Sequence, residues 1–336
     1  MKQAGVRQTA HEITVAAPAA TVHRLIADVD NWPSTFPATV HVSHEEAPEG
    51  EQRLRVWDTA GAGGAVRTWR LRRIVQDADL RVNFELLATE APVASMGGAW
   101  LVEPLDENSS RVRLFHEFRA EGEDPAALDR IGERVAREAE AELAALKRNV
   151  EFTHGAEDVT FSFEDTVTID GSAKDAYDFV NEAHLWSERL PHVATVRLTE
   201  DTPGVQTLEM DTRAKDGSVH TTKSHRVTFP HHKIAYKQVT LPALMTLHTG
   251  YWTFRDTDHG VTASSQHTVT LNTDNITRIL GPDATVADAR AYVHTALSTN
   301  SLATLNHAKT HAENRPETRS ESHTETRAET LPGNKR

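Results

Sequence analysis

The 336-residue sequence has no cysteine, which excludes disulfide bonds, thiolate zinc sites, iron–sulfur clusters and a cysteine nucleophile. Its 36 Lys and Arg are outnumbered by 49 Asp and Glu, and the net charge of −13 argues against broad nucleic-acid binding. No apolar run approaches the roughly 18–20 residues of a membrane span, and the N-terminus lacks the apolar core of a secretory leader. We therefore expect a cytoplasmic protein that binds neither nucleic acid nor membrane.

Large apolar residues are almost absent from the last two dozen positions, where a single Leu stands among charged and polar residues. Such a composition cannot bury a core, so we predict a disordered tail over 313–336. At roughly 100–200 residues per domain, the remaining length predicts two domains.

The rest of the sequence contains an internal duplication. In each half an alternating strand precedes a short apolar helix, which ends at a Trp with a Pro close behind. Three landmark pairs keep nearly the same separation, at 154, 153 and 152 residues: Trp32 and Trp186, Arg73 and Arg226, Trp100 and Trp252. We predict two copies of one domain, over 1–154 and 155–312.

Each copy has the pattern of a sheet followed by one long helix. Segments such as 80–86 alternate apolar and polar residues, which predicts strands with one buried face. A long helix then begins after Asp124 in the first copy and near Thr285 in the second. Because an antiparallel sheet needs one face covered, we predict an α+β fold. In each copy, a curved sheet of about seven strands would wrap around the C-terminal helix and enclose a cavity.

One arginine of each copy is predicted to face this cavity. In the strand 66–75, Trp69 and Leu71 share a face with Arg73, so the guanidinium points inward. Arg226 has the same place in the second copy, among more polar neighbours. A guanidinium stays charged, and its burial requires a carboxylate, water or an oxygen-bearing ligand. A structural ion pair, or a position at the cavity mouth, is the alternative to ligand binding.

Aromatic and histidine side chains supply further candidates. The tryptophans are either core residues or cavity walls on which a flat, conjugated ligand stacks. A histidine on a strand is either a proton carrier or an ordinary core or surface residue. The candidate proton carriers are His116, His192, His248 and His267. The histidine pairs 41/44 and 231/232 lack a third ligand, so no metal site is predicted.

The segments WPSTFPATVHV, TWRLRR and SMGGAW, together with the duplication, resemble the di-domain aromatase/cyclases of bacterial type II polyketide synthases. These are helix-grip proteins related to START-like lipid carriers, and the resemblance covers about 1–312. It implies a first pocket shaped by Trp32, Phe36, Trp69, Met96 and Trp100. The second pocket would be shaped by Trp186, His192, Ser224, Tyr236 and Trp252. Thr39 and Val193 stand where the family has a tyrosine, so the resemblance does not imply a mechanism with that tyrosine as proton donor here.

The resemblance implies a cofactor-independent enzyme of antibiotic biosynthesis, in which Arg73 and Arg226 bind a carbonyl or oxyanion. It would close the first ring of a ketoreduced poly-β-ketone (C7–C12) by aldol attack, then dehydrate and aromatise it. The chain would arrive on the phosphopantetheine arm of an acyl carrier protein, with synthase and ketoreductase components as possible further partners.

Docking of an acidic carrier requires a basic patch, for which Arg67, Arg70 and Arg72 are candidates. A solvated strand face is the alternative interpretation of these arginines. Two other functions remain open for the chain as a whole. One is a non-catalytic carrier of a hydrophobic lipid or polyketide, and the other is a duplicated stress or coenzyme-delivery module that acts on partner proteins.

Overall fold

The computed structural model describes residues 5–59, 64–155, 159–213, 217 and 219–315. The first domain has seven strands, β1 (Val6–Val15), β2 (Thr39–Glu45), β3 (Gln52–Thr59), β4 (Val66–Gln76), β5 (Arg81–Leu86), β6 (Val93–Asp106) and β7 (Ser109–Ala120). Its helices are α1 (Ala19–Ala27), α2 (Trp32–Thr35) and α3 (Pro125–Gly155). β1 pairs with β7, and the other strands follow as an antiparallel meander that ends at β2.

The second domain repeats this order. Its strands are β8 (Thr160–Ile169), β9 (Val193–Thr202), β10 (Val205–Arg213), β11 (Val219–Phe229), β12 (Lys233–Thr240), β13 (Met245–Thr257) and β14 (Gly260–Leu271). Its helices are α4 (Ala173–Asn181), α5 (Trp186–Arg189), α6 (Ile276–Leu280) and α7 (Val286–Glu313). β8 pairs with β14, and the sheet ends at β9. The predicted fold of two tandem helix-grip domains is confirmed.

The long helix of each domain packs an apolar stripe on the sheet and on the short helix before the meander. In the first domain, Leu143 and Leu146 of α3 share a buried cluster with Val22 and Ile26 of α1. In the second, Leu305 of α7 belongs to the corresponding cluster. These contacts join residues more than a hundred positions apart, so the helix and sheet of each copy form one core.

The two domains touch through their sheets. Val40 of β2 and Trp57 of β3 form a buried cluster with Val227 of β11. The ring of Phe229 lies 5.6 Å from that of Trp57 and 5.3 Å from that of His41. An aromatic and aliphatic contact of this kind fixes one domain against the other.

The structure bears on two further expectations. Among the described residues, no helix combines the length and apolarity needed to cross a membrane. The predicted tail lies outside the described residues from position 316 onward, while Glu313 is the last residue of α7.

A capping box explains where α7 begins. The Thr285 hydroxyl accepts from the Asp288 N–H at 3.2 Å, and the Asp288 carboxylate accepts from the Thr285 N–H at 2.9 Å. Thr285→Ala leaves a helix N–H without this acceptor and should lower the free energy of unfolding by about 1 kcal/mol. Thr299→Ala, at an exposed position inside the same helix, should be neutral or slightly stabilising. Equal losses in denaturant titrations of the two variants would refute this role for the cap.

Candidate active site

A row of four residues crosses the inner face of each sheet. In the second domain, strand register places Arg226 opposite Tyr236, Tyr236 opposite Gly250, and Gly250 opposite His267. The same register in the first domain gives Arg73, Phe84, Gly98 and His116. Directly opposed residues share a face, so each arginine lies in line with an aromatic ring and a histidine.

Glycine is required at the third place of each row. A Cβ on Gly250 would lie 2.0 Å from the Gln266 carbonyl oxygen and 2.8 Å from the Tyr236 hydroxyl. A Cβ on Gly98 would meet the Phe115 carbonyl oxygen at 2.0 Å. The missing side chain lets the aromatic ring of one strand reach the histidine two strands away. An isolated glycine inside a strand is the sequence signal for such an approach.

The Arg73 guanidinium is buried, as predicted, and is held by the end of α1. Its Nε donates to Gln52 Oε1 at 2.7 Å, and its Nη1 donates to the Ile26 carbonyl at 3.1 Å. Its Nη2 donates to the carbonyl of Ala27, the last residue of the helix. The helix end carries partial negative charge, which stabilises the cation. These contacts use three of the five N–H donors of the guanidinium and leave two.

Arg226 is buried in the same way but is less fully bound. Its Nη2 donates to the Val180 carbonyl in α4 at 2.8 Å, while its Nη1 has no hydrogen-bond partner in the described part of the chain. Each guanidinium lies over a tryptophan, Arg73 at 5.6 Å from the Trp32 ring and Arg226 at 5.5 Å from the Trp186 ring. Burial lowers the pKa of both arginines to about 10, so both remain cations at neutral pH.

The structure brings together three of the aromatic residues predicted for the first pocket. The Trp32 and Phe36 rings meet edge to face at 5.6 Å, and the Phe36 and Trp100 rings lie 6.2 Å apart. Trp69 packs, together with Trp32, against a neighbouring cluster of β2, β3 and β4, whereas Met96 belongs to a separate cluster. Met96 lines a cleft of about 540 Å³ together with Phe84, Gly98 and His116.

Three of the five residues predicted for the second pocket lie together, and the other two lie elsewhere in the domain. Trp186, Tyr236 and Trp252 share one buried cluster beneath α7. Ser224 is buried on the inner face of β11, two residues before Arg226. His192 lies between α5 and β9, where burial and the charge of His307 lower its pKa. It is not part of the hydrogen-bonded group that contains the other histidine candidates of this domain.

That group is a buried network centred on Tyr236. The Tyr236 hydroxyl lies 2.8 Å from His267 Nδ1 and 3.2 Å from His248 Nε2, and the two imidazole nitrogens are 2.9 Å apart. The Ser265 hydroxyl lies 3.1 Å from His267 Nε2. Burial raises the pKa of Tyr236, lowers that of His248, and lowers that of His267 to about 4. The network is therefore neutral at pH 7 and able to accept and return a proton.

The first domain has carboxyl groups instead. Burial and the charges of Glu138 and Asp58 raise the pKa of Glu142 to about 8. The Glu142 side chain nevertheless has an exposed surface. Burial also raises the pKa of Asp58 to about 6. The hydrogen bond that Trp69 Nε1 donates to this carboxylate at 2.9 Å has the opposite, smaller effect on the pKa. Sequence reasoning missed both. Glu142 on an amphipathic helix has the pattern of a surface residue, whereas Asp58 shares the buried face of β3 with Leu54 and Val56, which was an available signal.

The three arginines considered for carrier docking are exposed, but each has a carboxylate close by in its own domain. Arg70 binds Glu45 at 2.5 Å, and Arg72 binds Glu85 at 2.5 Å. Arg67 lies 3.8 Å from Asp58. They therefore form a charge-balanced surface rather than an unpaired basic patch. Among the described residues there is also no group of three or more His, Asp or Glu placed to hold a metal ion.

Comparison with known proteins shows one family model along most of the chain. The model described as polyketide cyclase / dehydrase and lipid transport matches twice, over residues 6–151 and 160–308. The chain is 52% identical over 299 residues to a granaticin polyketide synthase bifunctional cyclase/dehydratase of Streptomyces virginiae, covering 88% of this chain and 97% of the relative. It is 40% identical over 322 residues to the actinorhodin counterpart of Streptomyces coelicolor, covering 93% and 99%.

Two solved structures have the same di-domain architecture. The di-domain ARO/CYC BexL from the BE-7585A biosynthetic pathway superposes with a TM-score of 0.88 at 55% identity, covering 92% of this chain and 100% of that one. The di-domain ARO/CYC StfQ from the steffimycin pathway gives 0.83 at 35% identity, covering 91% and 98%.

The buried network predicts a pH dependence of stability. Between the ordinary imidazole pKa of 6.5 and the value of about 4 for His267, the unfolded chain binds a proton that the folded chain does not. Stability is therefore lost as the pH falls, and His267 should account for on the order of 1–2 kcal/mol between pH 7 and 5. In His267→Gln the contribution of His267 to the pH dependence of the free energy of unfolding should disappear, even if the variant is less stable at every pH. His259→Gln, on an exposed turn, should keep the full dependence. An unchanged slope in His267→Gln would contradict the assignment.

Proposed function

The chain belongs to the polyketide cyclase/dehydrase and lipid transport family, and from this membership we propose that it is a cyclase and dehydratase of an aromatic polyketide synthase. It closes the first ring of a ketoreduced poly-β-ketone between C7 and C12, removes water and aromatises the ring. The chain is delivered on the phosphopantetheine arm of an acyl carrier protein, and the reaction takes place in the cytoplasm without a cofactor.

The observation that carries this proposal is a buried guanidinium with an unused donor. Aldol attack and dehydration both pass through an enolate, whose negative oxygen needs a donor in place before the charge develops. Arg226 Nη1 lacks a partner within the described chain, and Arg226 shares the inner face of the sheet with Tyr236. A preorganised donor of this kind typically contributes on the order of 10²–10³ in rate. Arg73 supports the same role with the two N–H groups that its protein contacts leave over.

The second domain also contains side chains suited to proton transfer in both steps. Ring closure removes one proton from the attacking carbon and adds one to the new alkoxide oxygen. Dehydration removes another carbon-bound proton and supplies one to the departing hydroxyl, which leaves as water. Each step takes and returns one proton, as the neutral group of Tyr236, His248 and His267 is able to do. In the first domain, the raised pKa of Glu142 favours its protonated form and supports the role of proton donor there.

The aromatic walls support regiospecific folding of the chain. Trp32, Phe36 and Trp100 give the first domain a surface on which a conjugated chain stacks. Holding a flexible chain so that one pair of carbons meets is worth several kcal/mol of the barrier, because ordering is completed before reaction. The aromatic wall of the first domain suits a conjugated chain, and the hydrogen-bonded network of the second domain suits an enolate.

Reconstitution with a minimal synthase, its carrier protein and a ketoreductase tests the proposal. Addition of the wild-type chain should convert shunt products into one aromatic product. Arg226→Ala should lower its rate of formation by on the order of 10²–10³, and Arg73→Ala should lower both rate and fidelity. Arg255→Ala, at an exposed position of β13, is the control and should match the wild type.

The outcomes separate an enzyme from a carrier. Circular dichroism and thermal melting identify any variant that has lost its fold, since both arginines also hold a helix end. A folded double variant with unchanged product formation would remove the catalytic role of the arginines. A wild-type chain that binds the polyketide but leaves the product spectrum unchanged would establish the carrier function instead.

A further inference from the structure

The side chain of one lysine in the second domain binds the backbone of the first domain. Lys237 of β12 is buried, with 5% of its surface exposed. Its Nζ donates to the carbonyl oxygens of Pro33 at 2.7 Å, Phe36 at 2.8 Å and Thr39 at 3.0 Å. All three acceptors belong to one segment of the first domain, residues 33–39, about 200 positions earlier in the chain.

This arrangement uses every donor of an ammonium group. Lysine has three N–H donors when charged and two when neutral, so three acceptors select the charged form. Burial opposes that charge and lowers the pKa of Lys237 to about 7. The three carbonyl dipoles oppose this effect of burial, because hydrogen bonds from a charged donor are stronger than those from a neutral one. The lysine and the segment 33–39 are thus mutually dependent, since an amine with fewer acceptors would be a buried unsatisfied charge.

The segment held by Lys237 carries a wall of the first pocket. Phe36 lies in its centre, and the Phe36 ring contacts the rings of Trp32 and Trp100. The Phe36 carbonyl accepts from Lys237 and also from the Thr39 N–H at 3.1 Å, which closes a tight turn. On the side of the first domain's own helix, Asn149 Nδ2 donates to the Ser34 carbonyl at 2.9 Å. The turn is therefore held between α3 and the neighbouring domain.

The duplication shows that this contact is specific to the second domain. Strand register makes Glu85 the first-domain counterpart of Lys237, because Phe84 and Tyr236 lie opposite Arg73 and Arg226. Glu85 is exposed and pairs with Arg72 within its own sheet. The lysine is thus no requirement of the fold, which forms with a glutamate at the same place.

We propose that Lys237 is a positioning residue through which the second domain sets Phe36 and the wall of the first pocket. The inference rests on the proposed function, since it assigns the first pocket a part in folding the polyketide. It follows that the two domains are not independent catalysts, and that the regiospecificity of the first pocket depends on a side chain of the second domain.

Hydrogen–deuterium exchange measures the positioning directly, without reference to activity. Lys237→Met keeps the length of the side chain and removes the donors. Exchange at the amides of Phe36 and Thr39 should rise tenfold or more, while amides of β13 and β14 stay protected. The control is Lys309→Met, which removes a lysine donor whose Nζ binds the Thr168 carbonyl at 2.6 Å within the second domain, and it should leave residues 33–39 unchanged. Unchanged exchange in a folded Lys237→Met would overturn the proposal.

Product analysis then tests whether the lysine acts through Phe36. In the reconstituted system, Lys237→Met and Phe36→Leu should each lower the fraction of correctly cyclised product severalfold, and the double variant should equal the stronger single variant. Additive effects would contradict action through Phe36. If Lys237→Met fails to fold, Lys237→Gln retains two N–H donors and should show the same changes at smaller size. A wild-type chain that forms no cyclised product would defeat the proposed function but leave the exchange result as a test of the lysine.

Discussion

Each half of this molecule has to satisfy a guanidinium that cannot lose its charge and that lies on the inner face of a sheet. Both halves solve the problem with backbone carbonyls of the short helix that precedes the meander, from Ile26 and Ala27 in one and Val180 in the other. These hydrogen bonds fix the position of the helix, the tryptophan beneath the cation and the direction of the remaining N–H groups. The fold and the candidate chemistry therefore depend on the same contact.

On this shared frame the two domains have become chemically different. Phe84 and His116 of the first domain correspond to Tyr236 and His267 of the second. The second domain also has His248 on β13, the strand between those of Tyr236 and His267. The same backbone register thus gives a ring contact between Phe84 and His116 in one domain and a hydrogen-bonded group of Tyr236 and His267 in the other. A duplicated enzyme with such a difference is suited to consecutive steps on one substrate. Lys237 links the outer face of β12 in the second domain to the turn that carries Phe36 in the first.

Much of the fold could be predicted from the sequence, because its signals are local and repeated. Alternation of apolar residues predicted the strands, and it correctly placed Arg73 on the buried face. The constant offset between the copies transferred that placement to Arg226. The separation of Met96 from the Trp32 cluster was not predictable in this way, since apolar pattern gives the face of a strand but not which residues of that face meet.

The groups that sequence reasoning missed depend on contacts between distant segments. Lys237 stands on the strand face that alternation assigns to solvent, and it is buried only because the other domain covers that face. Glu142 has the pattern of a surface glutamate, and its raised pKa comes from surroundings that only the tertiary fold supplies. The Tyr236 network requires the register across three strands and the gap that Gly250 leaves.

A crystal structure with a non-hydrolysable, carrier-tethered polyketide mimic would test the central claim most directly. The account predicts a keto oxygen of the mimic within about 3 Å of Arg226 Nη1, a normal hydrogen-bond distance, on the face shared with Tyr236. It also predicts that the helix-end carbonyls remain bound to the arginines. A mimic bound outside both interiors, with Arg226 Nη1 satisfied by the protein alone, would contradict it.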